Sequence, residues 1–261
     1  MTERGEAVNR KQTVVFAVLA SVLLVAALFA GLTLPWFDKK TVPIDIDFSA
    51  GPDDGPGGSD YSESLILANR DIVHNAEITP QNVGRLIGTI SRPESYFADM
   101  TSRVISGERS AEYHSREWRQ GENARTVVTD PQGVEYNYIQ NEDTVISWKT
   151  GDLSYNSMPR GDFSGDSLVR IPTYEELAAL GEDDVVSCGV ENFQGSECVF
   201  AVVSYPEFGY EERYVISIDY GLLLSAETRK SGEIIYQMLV NELSLTEFEG
   251  DPFEPPDMPG A

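Results

Sequence analysis

The sequence has 261 residues, with 43 acidic and 19 basic side chains and a formal net charge of −24. That balance excludes nucleic acid, whose phosphates require Lys and Arg, and excludes a domain lying flat on anionic lipid. Two histidines and two cysteines, none at metal-ligand spacing, point to no metal and no cofactor.

Residues 1–12 read as a cytoplasmic N-terminus, and 13–36 as a transmembrane helix. From Thr13 to Leu34 the chain reads TVVFAVLASVLLVAALFAGLTL, 22 residues without a charge. At about 1.5 Å per residue such a helix is roughly 33 Å long, enough for a bilayer core of about 30 Å. A cleaved signal peptide is the alternative, but its apolar region is shorter, and cleavage after Ala30 would place Leu28 where a small residue is wanted. Arg4, Arg10 and Lys11 precede the run and Lys39 and Lys40 follow it. This small bias and the acidic body orient the N-terminus inward and the C-terminal domain outward, with Trp36 and Phe37 at the outer interface. The expected location is therefore the cell membrane, single-pass, with an extracytoplasmic domain.

Residues 37–62 run through VPIDIDF into SAGPDDGPGGSD and read as a flexible linker. Tyr61 to Asn75 holds a short apolar patch suited to a domain edge. Thr79-Pro80 then starts a helix over about 80–90, with Val83, Leu86, Ile87 and Ile90 at helical spacing. From Ser95 the period changes to two. SYFADMTSRVIS, SAEYHSREWRQ, ARTVVTD, VEYNYIQ, DTVISWK and DLSYNSM read as successive strands separated by Gly, Asn and Asp turns. Thr173-Tyr174-Glu175-Glu176 is a capping box before a second short helix. A cysteine hairpin, YEERYVISIDY, LLLSAETRK and GEIIYQMLVNELSL complete the strands. The folded domain is placed at 63–248, and 249–261 reads as a disordered acidic tail.

Cys188 and Cys198 lie symmetrically about Phe193 in VVSCGVENFQGSECVFAVVSY. In an oxidising compartment a disulfide across this hairpin is expected; two buried thiols are the alternative. His114, on one strand face with Arg116 and Trp118, is read as a cross-strand polar pair in preference to a general base. S-x-x-K, G-x-S-x-G and H-E-x-x-H motifs are absent, and no residue is assigned a catalytic role. A carboxylate pair of an envelope hydrolase is the enzymatic alternative.

The order of these elements resembles the LolA/RseB-like superfamily over 78–248. The resemblance is carried by the helix near 80–90, SRPESYF at 91–97, Trp118-x-x-Gly121, the Asp130-Pro131-x-Gly133 turn, Trp148, and YVISIDYGLLLSAETRKSGEIIYQMLVNELS. It is nearest in character to membrane-tethered and lipoprotein members from Firmicutes, including the clostridial germination lipoproteins. The resemblance implies a mainly β fold with short helices. In it a strongly curved, incompletely closed antiparallel sheet (a half-barrel) carries helices on its concave side. It further implies a concave face that binds acyl chains or a partner protein, with no catalysis. On that reading Tyr96, Phe97, Tyr113, Trp118, Tyr136, Tyr138, Trp148 and Tyr155 are the candidate groove aromatics; core packing is the plainer reading for most of them. The expected function is a tethered, non-catalytic module holding a lipid acyl chain or an envelope partner protein. The alternative is a partner-binding sensor or scaffold for an envelope enzyme or signalling complex.

Overall fold

The computed structural model describes residues 63–160, 177–180, 184–245, 248 and 250–256. The expected transmembrane helix 13–36, the linker 37–62 and the capping box 173–176 before the second short helix lie outside them. Among the described residues no helix is long and apolar enough to cross a membrane. The described residues form one compact unit, apart from Ser106–Arg109, a hairpin tip that groups separately.

The described part is mainly β, with a curved sheet that does not close. Its strands are β1 (Ser95–Ser106), β2 (Arg109–Gln120), β3 (Asn123–Thr129), β4 (Glu135–Gln140), β5 (Thr144–Lys149), β6 (Asn156–Pro159), β7 (Val185–Phe193), β8 (Ser196–Tyr205), β9 (Tyr210–Ser217), β10 (Leu223–Lys230) and β11 (Glu233–Ser244). Their order is β6-β5-β4-β3-β2-β1-β11-β10-β9-β8-β7. The chain thus meanders outward from β1 to one edge and returns inward from the other. It ends where β11 lies antiparallel to β1, with Met100 opposite Val240 and Ser102 opposite Met238. Alternating Val, Ile and Tyr against polar residues fixes this register, because a slip of one residue would turn every apolar side chain to the wrong face.

Two helices precede the sheet, α1 (Glu63–His74) and α2 (Val83–Ile87). Val73, Val83, Ile87 and Ile90 join one buried cluster with Val199, Ala201, Tyr214, Ile216, Ala226, Met238 and Val240. The strand register puts these seven on a single face, hereafter the helix face.

One helix was not expected, and another is shorter than expected. The apolar patch near Tyr61 to Asn75 contains a 12-residue helix. The helix expected over 80–90 is confined to Val83–Ile87. Asn82 explains the delay: its Oδ1 accepts the Thr79 amide at 2.9 Å and its Nδ2 donates to the Glu77 carbonyl at 2.7 Å. The side chain offers the backbone a turn in place of the first helical turn.

The disulfide is corrected as well: both cysteines are free, Cys198 buried and Cys188 half-buried. The hairpin turns through Gln194 (φ 54°) and Gly195 (φ 91°), a two-residue loop that matches the strand twist. The centre therefore falls between these two residues and not at Phe193. Cys188 faces Ala201 while Glu191 faces Cys198. This offset of three residues, an odd number, sends the two thiols to opposite faces of the sheet.

Burial pushes the Cys198 thiol up to about 12, with Glu191 acting in the same direction, and burial raises Cys188 too. A raised thiol pKa keeps the proton in the folded protein after the unfolded chain has released it. This stabilisation is complete below about pH 8.5, the ordinary thiol value, and falls away as pH climbs toward that of the folded thiol. At pH 8 iodoacetamide should therefore leave Cys198 unmodified in the native protein, while denaturant should release two titratable thiols. Recovery of no thiol in denaturant would contradict the register.

Candidate functional site

The eight candidate aromatics do not line one surface. Tyr96 and Phe97 are neighbours on β1 and so point to opposite faces. The Tyr96 hydroxyl reaches Glu117 Oε1 at 3.4 Å, and Glu117 lies opposite Thr126, which lies opposite Tyr138. With Tyr113 four residues before Glu117 and Tyr136 two before Tyr138, these four tyrosines share the helix face. Phe97, Trp118 and Trp148 occupy the opposite face, where Phe97 and Trp118 meet with ring centroids 5.1 Å apart. Tyr155 sits in the irregular segment between β5 and β6. A single groove lined by all eight is therefore replaced by two aromatic surfaces on the β1–β5 half of the sheet.

On the helix face the tyrosines are interleaved with polar groups. Ser115, Glu117, Thr126 and Gln140 are all buried there. Glu117 accepts from Arg119 Nε at 3.0 Å. Ser115 Oγ is buried with no hydrogen-bond partner. Burial raises the Tyr138 phenol, with Tyr136 adding to the shift.

The opposite face is organised around Arg125 on β3, a residue the sequence reading did not select. Trp118 stands directly opposite it on β2. The Arg125 guanidinium carbon lies 5.7 Å from the Trp118 ring centroid and 5.8 Å from that of Trp148, so the cation sits between two indoles. Nη2 donates to Asn137 Oδ1 at 3.3 Å, and Nη1 donates to the carbonyl of Pro252 at 3.2 Å. Nε is buried with no partner. Among the described residues no carboxylate pairs with this cation; nearby Glu135 is taken by Arg116 Nη2 at 3.1 Å. Burial pulls the Arg125 pKa down, Arg116 pulls it further, and Glu135 opposes them.

Part of the C-terminal tail lies on this face. Phe248 meets Phe253 edge-on at 6.0 Å, and the Phe253 amide donates to Asp251 Oδ1 at 2.8 Å. Within the described residues 250–256 of the tail, Pro252 meets Arg125; 249 and 257–261 lie outside the described residues.

Both histidines are engaged by carboxylates. His114 Nε2 lies 2.9 Å from Asp99 Oδ1, the cross-strand pair expected of it, and that same oxygen accepts from Asn241 Nδ2 at 2.8 Å. His74 Nε2 lies 3.0 Å from Glu197 Oε2, tying α1 to the start of β8. Among the described residues no three His, Cys, Asp or Glu side chains are grouped to hold a metal ion.

No family model matches the sequence. No curated protein matches it either. Solved structures similar to this chain include MucB in complex with MucA(peri), at 11% identity and a TM-score of 0.35 over 68% of this chain. This chain spans about half, 54%, of that MucB chain. LprF from Mycobacterium bovis is 12% identical with a TM-score of 0.36, over 75% of this chain and 99% of its own. A LolA superfamily protein from Nitrosomonas europaea is 9% identical with a TM-score of 0.29, over 72% of this chain and 94% of its own. The overall superpositions are loose, and the fold described above rests on strand order and register. Of these, the Nitrosomonas europaea protein is described as a LolA superfamily member.

Proposed function

We propose that this chain is a membrane-tethered, extracytoplasmic, non-catalytic module that binds a partner protein of the cell envelope. The observation that carries the reading is the mixed character of both surfaces of β1–β5, where aromatic rings alternate with hydrogen-bonding groups. An acyl chain lying there would strip water from the half-exposed Arg116–Glu135 pair or the Tyr136 hydroxyl, at a cost of about 1–3 kcal/mol for each polar group left unsatisfied. A polypeptide supplies both apolar side chains and backbone carbonyls, and aromatic and Arg residues are the ones enriched in such interfaces.

The tether comes from the charge-free run Thr13–Leu34, and the acidic excess suits the outer side. A Gly- and Pro-rich composition such as that of 37–62 corresponds to an average reach of roughly 25–30 Å. A domain so leashed works beside its own membrane and cannot carry cargo away, which favours local regulation of an envelope enzyme or signalling complex. The test is native mass spectrometry of the full chain released from its membrane with surrounding lipid. A one-to-one complex with a protein supports the reading, and a chain carrying only lipid opposes it.

A further inference from the structure

The tail contact and the Arg125 site together point to a specific kind of partner. We infer that the Trp118–Arg125–Trp148 clamp is a recognition site for an acidic, proline-rich extended segment of a partner protein, and that the chain's own C-terminal tail occupies it until displaced. This rests on the proposed binding function and names its partner chemistry.

Four observations support it. First, Arg125 is a cation between two indoles, without a carboxylate partner among the described residues. A charge so placed is costly unless a ligand brings acceptors. Second, its Nε is buried and unpaired, so the present occupant satisfies the guanidinium incompletely. An aspartate or glutamate in the clamp would accept in the two-pronged geometry that guanidinium favours. Third, the group now on Arg125 is the backbone carbonyl of Pro252. Proline-rich segments leave their carbonyls free and dock on aromatic surfaces at low entropic cost. Fourth, the tail EGDPFEPPDMPGA has the matching composition, with Glu249, Asp251, Glu254 and Asp257 interspersed among Pro252, Pro255, Pro256 and Pro259. The tail is thus a cis occupant of moderate fit. A partner segment that places a carboxylate on Arg125 would displace it.

The experiment uses a labelled peptide of residues 249–261 and the full chain in nanodiscs, read by fluorescence anisotropy. Tethered tails act at local concentrations of about 1 mM, so for a peptide Kd near 100 µM the tail masks the site about tenfold. Ending the chain after Phe248 should therefore tighten peptide binding about tenfold relative to the full chain. Replacing the four acidic residues of the peptide by their amides should weaken binding to the truncated chain at least tenfold, as should Arg125→Gln. The peptide series leaves the protein untouched, so it decides the matter even where Arg125→Gln fails to fold. Equal binding by full and truncated chains, or indifference to peptide charge, overturns the clamp. Self-association of the full chain that is abolished by truncation assigns the site to a second copy's tail and overturns the partner assignment. A protein partner retained equally by truncated, full and Arg125→Gln chains would leave the binding module standing without the clamp.

Discussion

Gly221→Ala is expected to destabilise the folded domain by about 3 kcal/mol or more, the largest effect of a methyl added at any glycine among the described residues. Gly221 closes the turn between β9 and β10 at φ +62°, donating its amide to the Ser217 carbonyl at 2.8 Å. A left-handed backbone costs an alanine about 1 kcal/mol relative to glycine. Space adds to that cost. A Cβ here would lie 2.9 Å from the Ser91 carbonyl oxygen, 2.8 Å from Arg92 Cγ and 3.2 Å from Ile90 Cγ2. The Arg92 side chain can swing aside, but the Ser91 carbonyl belongs to the backbone that enters β1. Overpacking of this kind costs about 1–3 kcal/mol. A domain of this size loses roughly 2–4 °C of Tm per kcal/mol, so thermal unfolding of the full chain should fall by about 6–12 °C. A drop of under about 2 °C, near half a kcal/mol on that scale, would show that the loop is not packed as described.

The second large effect is expected at the same junction. Asn69 on α1 is fully buried. Its Nδ2 donates to the carbonyls of Ser91 at 3.0 Å and Asp219 at 3.1 Å, and its Oδ1 accepts the Ser91 amide at 2.8 Å. One side chain therefore ties the helix to both the β1 entrance and the β9–β10 turn. Asn69→Ala strips all three bonds in a dry site, where each stranded group costs about 1–3 kcal/mol; a net loss of about 3 kcal/mol is expected.

Its neighbour Arg70 makes a two-pronged pair with Asp219 at 2.7 and 2.8 Å, and this partner raises the arginine pKa. Yet the Arg70 side chain is 46% exposed, and exposed pairs contribute about 0–1 kcal/mol. Chemical denaturation should rank Asn69→Ala well above Arg70→Ala. The reverse order would mean that charge, and not the buried amide, docks α1. Combined with Gly221→Ala, the Asn69→Ala loss should be less than additive, because both release the same contact between α1 and the turn.

These two positions also mark where the sequence was hard to read. The strands were legible because period-two alternation and turn residues are local signals. Helix α1 was not, because its docking is polar. The buried residues of α1 are Asn69 and Val73, while Leu67 and Ile72 are exposed, so no apolar stripe announced it. The cysteine register failed for want of turn type. A two-residue Gln194-Gly195 turn moves the hairpin centre and separates the thiols, whereas composition alone allowed several centres.

The aromatic set was partly decodable. Tyr96 and Phe97 are adjacent, and Tyr113 and Trp118 are five residues apart, so strand alternation alone forbids one common face. Arg125 was reachable by the same logic. A two-residue Gly121-Glu122 turn places Trp118 directly opposite it. Trp148 was beyond reach, because bringing it over Arg125 depends on the registers of β3, β4 and β5 together. The Pro252 contact was also beyond reach, because the composition of the tail is that of a disordered segment and carries no signal for Arg125.

On the proposed function, this chain holds a protein through the aromatic and arginine surface of β1–β5. Native mass spectrometry of the full chain in nanodiscs made directly from its own membrane tests it most directly, with the Trp118→Ala chain run in parallel. A one-to-one complex with a protein partner is expected for the native chain, and its loss, with folding retained, for Trp118→Ala. A native chain that carries only lipid, or a complex indifferent to Trp118, would contradict it.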